Sequence, residues 1–241
     1  MFRILRGTKI THRTPAPPAA LDERDGLAYA LFEPEREPRG GIVILHGAGS
    51  CKESHFDFAR AARGAGLTAV AFDARGHGAS AGPADGRMLD DVATMTELLP
   101  AGAPLALRGS SMGGYMALLA AARLDAAAVV AICPAGSEHL LRGLRRGDLD
   151  FEADGPAVER FLEAHDLGAA VARMRTPMLL LHAEGDEQIP VEHSRALLDA
   201  ARMPVKRLLA MPGGHHRSIQ HDEELQGESL RFVAKAFAAA G

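Results

Sequence analysis

Residues 105–122 read LALRGSSMGGYMALLAAA, and the reading of this stretch decides the rest. Within it, Gly109-Ser110-Ser111-Met112-Gly113 fits the pattern Gly-x-Ser-x-Gly with Ser111 at its centre. The apolar run 105–107 suits a buried strand, and 115–122 is rich in good helix formers. The expected order is therefore strand, sharp turn, helix. Such a turn forces its central residue into a strained backbone conformation, and glycines on either side let strand and helix pass closely. A hydroxyl then stands clear at the strand's C-terminal end, where the helix N-terminus offers N–H groups to a developing anion. The pattern alone also occurs in glycine-rich turns, and this chain has 26 glycines. Its meaning rests on whether an acid and then a histidine follow Ser111 in chain order.

Outward from that stretch the chain alternates. Toward the N-terminus, 41–45 is a continuous apolar run, 53–64 has a helical pattern, 67–72 is a second buried run, and 88–99 reads as a helix. Toward the C-terminus, strands are expected at 128–132, 178–181 and 205–210, and helices at 191–201 and 223–239. Strands alternating with helices imply an α/β protein, a mostly parallel central sheet flanked by helices on both faces. Two weaker strand signals, 2–10 and 27–32, lie either side of the proline-rich 14–18 and suggest an antiparallel edge. Alternation lapses over about 136–176, a stretch charged in its first half, read as a short cap insertion over the sheet's edge within one domain spanning 1–241.

Composition narrows the classes. With 47% hydrophobic and 24% charged residues the 241-residue chain can bury an ordinary globular core, and a net charge of −4 leaves no footprint for nucleic acid. Cys51 and Cys133 are far apart, so neither a disulfide scaffold nor a zinc knuckle is indicated. No run approaches the roughly 18 apolar residues of a membrane span, and a soluble, cytoplasmic protein is expected.

Chemistry is expected at the C-terminal ends of the parallel strands. After 41–45 comes His46-Gly47-Ala48-Gly49, a glycine turn able to face the elbow. Backbone N–H groups of Ala48 and Met112 converging on a carbonyl oxygen would form an oxyanion hole, each donor worth roughly 3 to 4 kcal/mol. His46, Asp73, Arg75 and His77 precede the nucleophile, against the order sought, and are read as loop braces. After Ser111, Asp186 follows the strand at 178–181, with Glu184 and Glu187 as alternatives. The base is expected in Gly213-Gly214-His215-His216, where either histidine can serve. The pair with nearby His221 lacks the carboxylate and histidine spacing of a metal site, so neither metal nor cofactor is expected.

Taken together, HGAGS, FDARGHGAS, GSSMGG, EGDEQIP and GGHHR resemble the α/β-hydrolase superfamily, especially its small-capped serine esterase and thioesterase-like members. The resemblance covers nearly the whole chain and implies the α/β-hydrolase fold. It further implies Ser111 as nucleophile, Asp186 as acid, Ala48 and Met112 as oxyanion donors, and, from the Gly-x-x-His pattern, His216 as base. Arg108 departs from it, standing before the elbow where an apolar residue is more usual. The implied activity is hydrolysis of a small-molecule carboxylic ester through an acyl-serine intermediate, with acyl-CoA or another thioester as the alternative substrate and a noncatalytic binding protein as the alternative class. The insertion is short, charged and poor in aromatics, which suits a partly open site for small or medium acyl groups. Arg142, Arg145 and Arg146 either hold an anionic leaving group such as coenzyme A or form a solvated helix face.

Overall fold

A computed structural model of the chain describes residues 15–240; the strand expected at 2–10 lies outside them. The order of elements is that of the alternating pattern. Strands β1 (Ala20–Arg24) and β2 (Leu27–Phe32) form an antiparallel hairpin. Its Asp25-Gly26 loop has φ of 52° and 78°, the left-handed pair that a two-residue hairpin favours. β2 then runs antiparallel to β4 (Thr68–Phe72). β3 (Gly41–Leu45), β5 (Leu105–Ser110), β6 (Ala128–Ile132), β7 (Met178–Ala183) and β8 (Lys206–Met211) complete an eight-stranded sheet of order β1-β2-β4-β3-β5-β6-β7-β8. From β4 to β8 all neighbours are parallel.

The apolar runs are continuous because both faces of these strands are covered, and the pleat sends alternate residues to two separate cores. Val43, Leu45, Val70, Leu107, Val129 and Leu180 pack with helices α2 (Met88–Thr96) and α3 (Met112–Arg123). Ile42, Ile44, Ala69, Ala106, Val130 and Leu181 face the other way, toward α1 (Phe56–Gly64) and α8 (Glu223–Ala240). A register slip of one residue would exchange the two cores wholesale, so the register is tightly specified.

The helix expected over 53–64 begins instead as a single 3₁₀ turn, Lys52–His55, before α1. Lys52 is held at its start: both its backbone N–H (2.7 Å) and its ammonium (2.8 Å) donate to Asp73 beyond β4. Between β6 and β7 lie α4 (Ser137–Arg146), α5 (Gly155–Ala164) and α6 (Leu167–Arg173). Gly147 ends α4 in the left-handed conformation, and Asp154 and Asp166 cap α5 and α6 through their carboxylates. β6 and β7 are interior strands, so this stretch does not lie over a sheet edge. α6 packs between α3 and α7 (Val191–Ala200) as an ordinary face-covering helix, while α4 stands over the C-terminal ends of the strands.

Candidate active site

Ser111 sits between β5 and α3 at φ 53°, ψ −117°. A non-glycine residue held there costs of the order of 1–3 kcal/mol, which the surrounding bonds must offset. Its N–H donates to the Ile132 carbonyl at 2.9 Å, and its own carbonyl accepts from Tyr115 and Ala135 at 3.0 and 3.1 Å. The glycines admit no substitute: a Cβ on Gly109 would lie 2.0 Å from the Gly113 carbonyl oxygen, and one on Gly113 2.3 Å from that of Leu45. The second of these contacts presses the elbow against the end of β3. A Cβ on Gly47 would lie 3.3 Å from that of Ser111, so the turn carrying Ala48 is in contact with the elbow. Among the described residues neither the Ala48 nor the Met112 N–H has a hydrogen-bond acceptor. The Met112 N–H is in any case one of the four that a helix N-terminus leaves open.

The two adjacent histidines have different surroundings. His215 is exposed, while His216 is buried and its Nδ1 lies 2.7 Å from Asp186 Oδ2. Asp186 stands in the turn after β7, its Oδ1 accepting the N–H groups of Gln188 and Ile189 at 2.9 Å each. Glu184 is exposed and paired with Arg195. Burial by itself would push the Asp186 carboxyl up, but the bonds from His182, His216 and the Ile189 N–H outweigh it and hold the group well below the usual carboxylate range. An ionised Asp186 takes the Nδ1 proton of His216 into its hydrogen bond, which leaves Nε2 as the free, basic nitrogen.

Sequence reasoning missed His182, the polar residue in the apolar run of β7. Its Nε2 must carry hydrogen, since it faces the Ile189 carbonyl at 2.9 Å, and the same nitrogen lies 3.5 Å from Asp186 Oδ2. Its Nδ1 takes the Ser194 hydroxyl at 2.7 Å. The available signal was positional, four residues before Asp186 on the strand that delivers it. Cys133, at φ 41° after β6, also abuts Asp186, and burial pushes its thiol well up.

Arg108 is fully buried. Its guanidinium lies 3.8 Å from the centre of the Phe58 ring, and Nη2 donates to the Gln220 carbonyl at 3.2 Å, tying β5 to the loop that carries His216. Burial lowers its pKa to about 9, still charged at neutral pH. Nη1 faces His55 Nδ1 at 3.5 Å, and because a guanidinium only donates, that nitrogen must accept. His55, kept neutral first by burial and then by the Arg108 charge, therefore carries hydrogen on Nε2 and donates to Ser110 Oγ at 3.4 Å.

The earlier motifs brace loops. His46, whose pKa burial lowers to about 4, donates from Nδ1 to the Gly47 carbonyl and accepts the Ala74 N–H on Nε2. Arg75 bridges Asp91 and the Asp25 carbonyl, and His77 stacks on Phe151 with ring centres 4.4 Å apart.

Ser111, Ala48 and His216 line one open cavity of about 560 Å³, roofed by α4. Glu138, His139 and His193 form a cluster at the cavity's margin, with His139 on its wall, whose ligand atoms lie within 4.8 Å of one another, a spacing open to a metal ion. Within it Glu138 is held down to about 2, chiefly by His139.

A family model described as serine aminopeptidase, S33, matches residues 36–146. A monoacylglycerol lipase of Mycolicibacterium smegmatis is 26% identical, over 82% of this chain and 88% of its own length. Among solved structures, Est1E from Butyrivibrio proteoclasticus with bound ferulic acid superposes with a TM-score of 0.77 at 21% identity, covering 91% of this chain and all of that one. The monoacylglycerol lipase of Paleococcus ferrophilus does so at 0.72 and 22%, covering 87% and 99%. Among the described residues no helix is long and apolar enough to cross a membrane. Sheet order, the strained turn at Ser111 and these likenesses converge on one conclusion: the chain has the α/β-hydrolase fold.

Proposed function

We propose that the chain is a serine hydrolase that cleaves carboxylic esters of small or medium acyl groups through an acyl-Ser111 intermediate. The observation that carries this reading is the pairing of His216 with Asp186 at 2.7 Å on the wall of the cavity that Ser111 lines in its strained conformation. Ser111 Oγ attacks the carbonyl carbon while His216 Nε2 takes its proton, and Asp186 holds the imidazole in the right tautomer and steadies the imidazolium. The oxyanion forms between the Ala48 and Met112 N–H groups. The imidazolium returns the proton to the leaving alcohol as the tetrahedral adduct collapses to the acyl-enzyme. Water then repeats the cycle, giving up its proton to His216 and releasing the acid. In this reading 1–241 is one catalytic unit and the insertion supplies a small cap, chiefly through α4.

The relatives named as a lipase and as Est1E support ester chemistry; the open cavity, with its wall of serines, histidines and arginines beside a few apolar residues, supports a small or medium acyl group over a long one. Labelling with a fluorophosphonate probe tests the assignment: wild type should be modified on Ser111, and Ser111→Ala should be neither labelled nor active on p-nitrophenyl butyrate. Wild-type turnover by Ser111→Ala refutes it.

A further inference from the structure

The cavity wall carries a charge pattern that ester hydrolysis alone does not require. Arg142 and Arg146, four residues apart on α4, share the helix face that lines the cavity, and Arg217, directly after His216, lines it from the β8–α8 loop. Among the described residues none of these three guanidinium groups has a carboxylate within 4.0 Å. Their neighbour Arg145, by contrast, turns away to α5 and pairs with Glu159 and Glu163. Among the described residues Asp148 is the one carboxylate on the wall, against three arginines. Arg145 is thus satisfied on the outside, whereas Arg142 and Arg146, which also border the outer groove beside it, reach the nucleophile's cavity without a carboxylate partner. Guanidiniums on one cavity wall offer forked donors matched to a carboxylate or phosphate.

Building on the serine hydrolase reading, we infer that the ester taken by this site bears an anionic group, a carboxylate or phosphate, which docks between Arg142, Arg146 and Arg217 while its carbonyl lies at Ser111. These groups are exposed before binding, so each contact is modest, and it is their convergence on one ligand charge that produces selection.

The test uses three acyl esters of p-nitrophenol: the adipic acid half-ester, its methyl-capped neutral counterpart, and the corresponding ω-phosphonate. The half-ester should exceed the capped ester in kcat/KM by roughly tenfold, the size of one net charge-assisted contact. That ratio should collapse toward unity in Arg142→Gln/Arg146→Gln, and shrink between about 0.02 and 0.5 M salt. Arg145→Gln, whose charge is engaged on α5, should keep the ratio. Half-ester against phosphonate decides which anion the site prefers. Binding of the same three compounds to Ser111→Ala, measured by calorimetry, reads the preference without turnover. Equal use and equal binding of charged and capped esters overturns the inference while leaving the hydrolase reading in place. Arginine-dependent binding without turnover by wild type does the reverse. A ratio that survives the double substitution in a folded variant also overturns it.

Discussion

Replacing Asp186 by asparagine changes one atom, and the hydrogen bonds around it dictate the consequence. The carboxylate's Oδ1 accepts two backbone N–H groups, from Gln188 and Ile189, at 2.9 Å each. Neither donor can be satisfied by an amide NH₂, so the asparagine oxygen must take their place and its NH₂ must face His216 Nδ1, which in the native protein lies 2.7 Å from the carboxylate. That NH₂ donates, hence Nδ1 must accept, and the imidazole hydrogen moves to Nε2. The nitrogen that should take the Ser111 proton then has no lone pair to offer. The His182 N–H, 3.5 Å from Oδ2, opposes the flipped amide as well. Replacing the orienting carboxylate of a serine–histidine–aspartate site by its amide lowers kcat by roughly 10⁴-fold, and a loss of that order is expected here. The assay is kcat/KM on p-nitrophenyl butyrate beside the rate of fluorophosphonate labelling, since both need the same base, with circular dichroism to show that the fold persists. An Asp186→Asn enzyme within about tenfold of wild type would refute the tautomer argument and with it the role of His216.

His216→Ala should abolish most ester turnover while His215→Ala, whose side chain is exposed, should leave most of it; the reverse order in kcat would move the base to His215. The Asp186 carboxyl is held below its ordinary value in the folded protein, so it contributes stability above the unfolded carboxylate pKa of about 3.9 that fades as pH falls through the lower folded value. Melting temperatures followed from neutrality to about pH 2 should therefore fall less steeply for Asp186→Asn than for wild type. Gly113→Ala would set a Cβ 2.3 Å from the Leu45 carbonyl oxygen, and the backbone shift needed to relieve it should cost about 1–3 kcal/mol of stability and on the order of 100-fold in kcat, read by denaturant titration and ester turnover. Arg108→Met removes a buried cation that has no carboxylate partner among the described residues. Stability should stay within about 1.5 kcal/mol of wild type or rise. Activity should drop about tenfold as the Gln220 carbonyl loses its donor and the His216 loop loosens; unchanged kcat would show that the tie is not needed.

The sequence by itself determined the alternating architecture and the turn at Ser111, because both are local. A buried parallel strand is an uninterrupted apolar run such as 41–45 or 178–181, and a strained strand-to-helix turn admits little besides glycine at its flanks, as Gly109 and Gly113 show. The edge hairpin was less legible: β1 is largely exposed, so its residues carry no burial pattern. What tertiary structure alone decided depends on side chains distant in sequence meeting at one end of the sheet. Whether His215 or His216 points inward depends on the conformation of the loop after β8, where Gly213 and Gly214 take φ of 68° and 77°; in the sequence, only a family resemblance favours His216. That Arg108 is buried on Phe58 and tethers Gln220, 112 positions away, has no trace in the local pattern, nor does the placement of His182 behind Asp186. The same holds for the arginines of α4, identical in a linear reading. Only the helix's orientation against the cavity and against α5 separates Arg145, neutralised by two glutamates, from Arg142 and Arg146: the three side chains spread over adjoining sectors of one helix, and α5 lies on the Arg145 side while the cavity lies on the other.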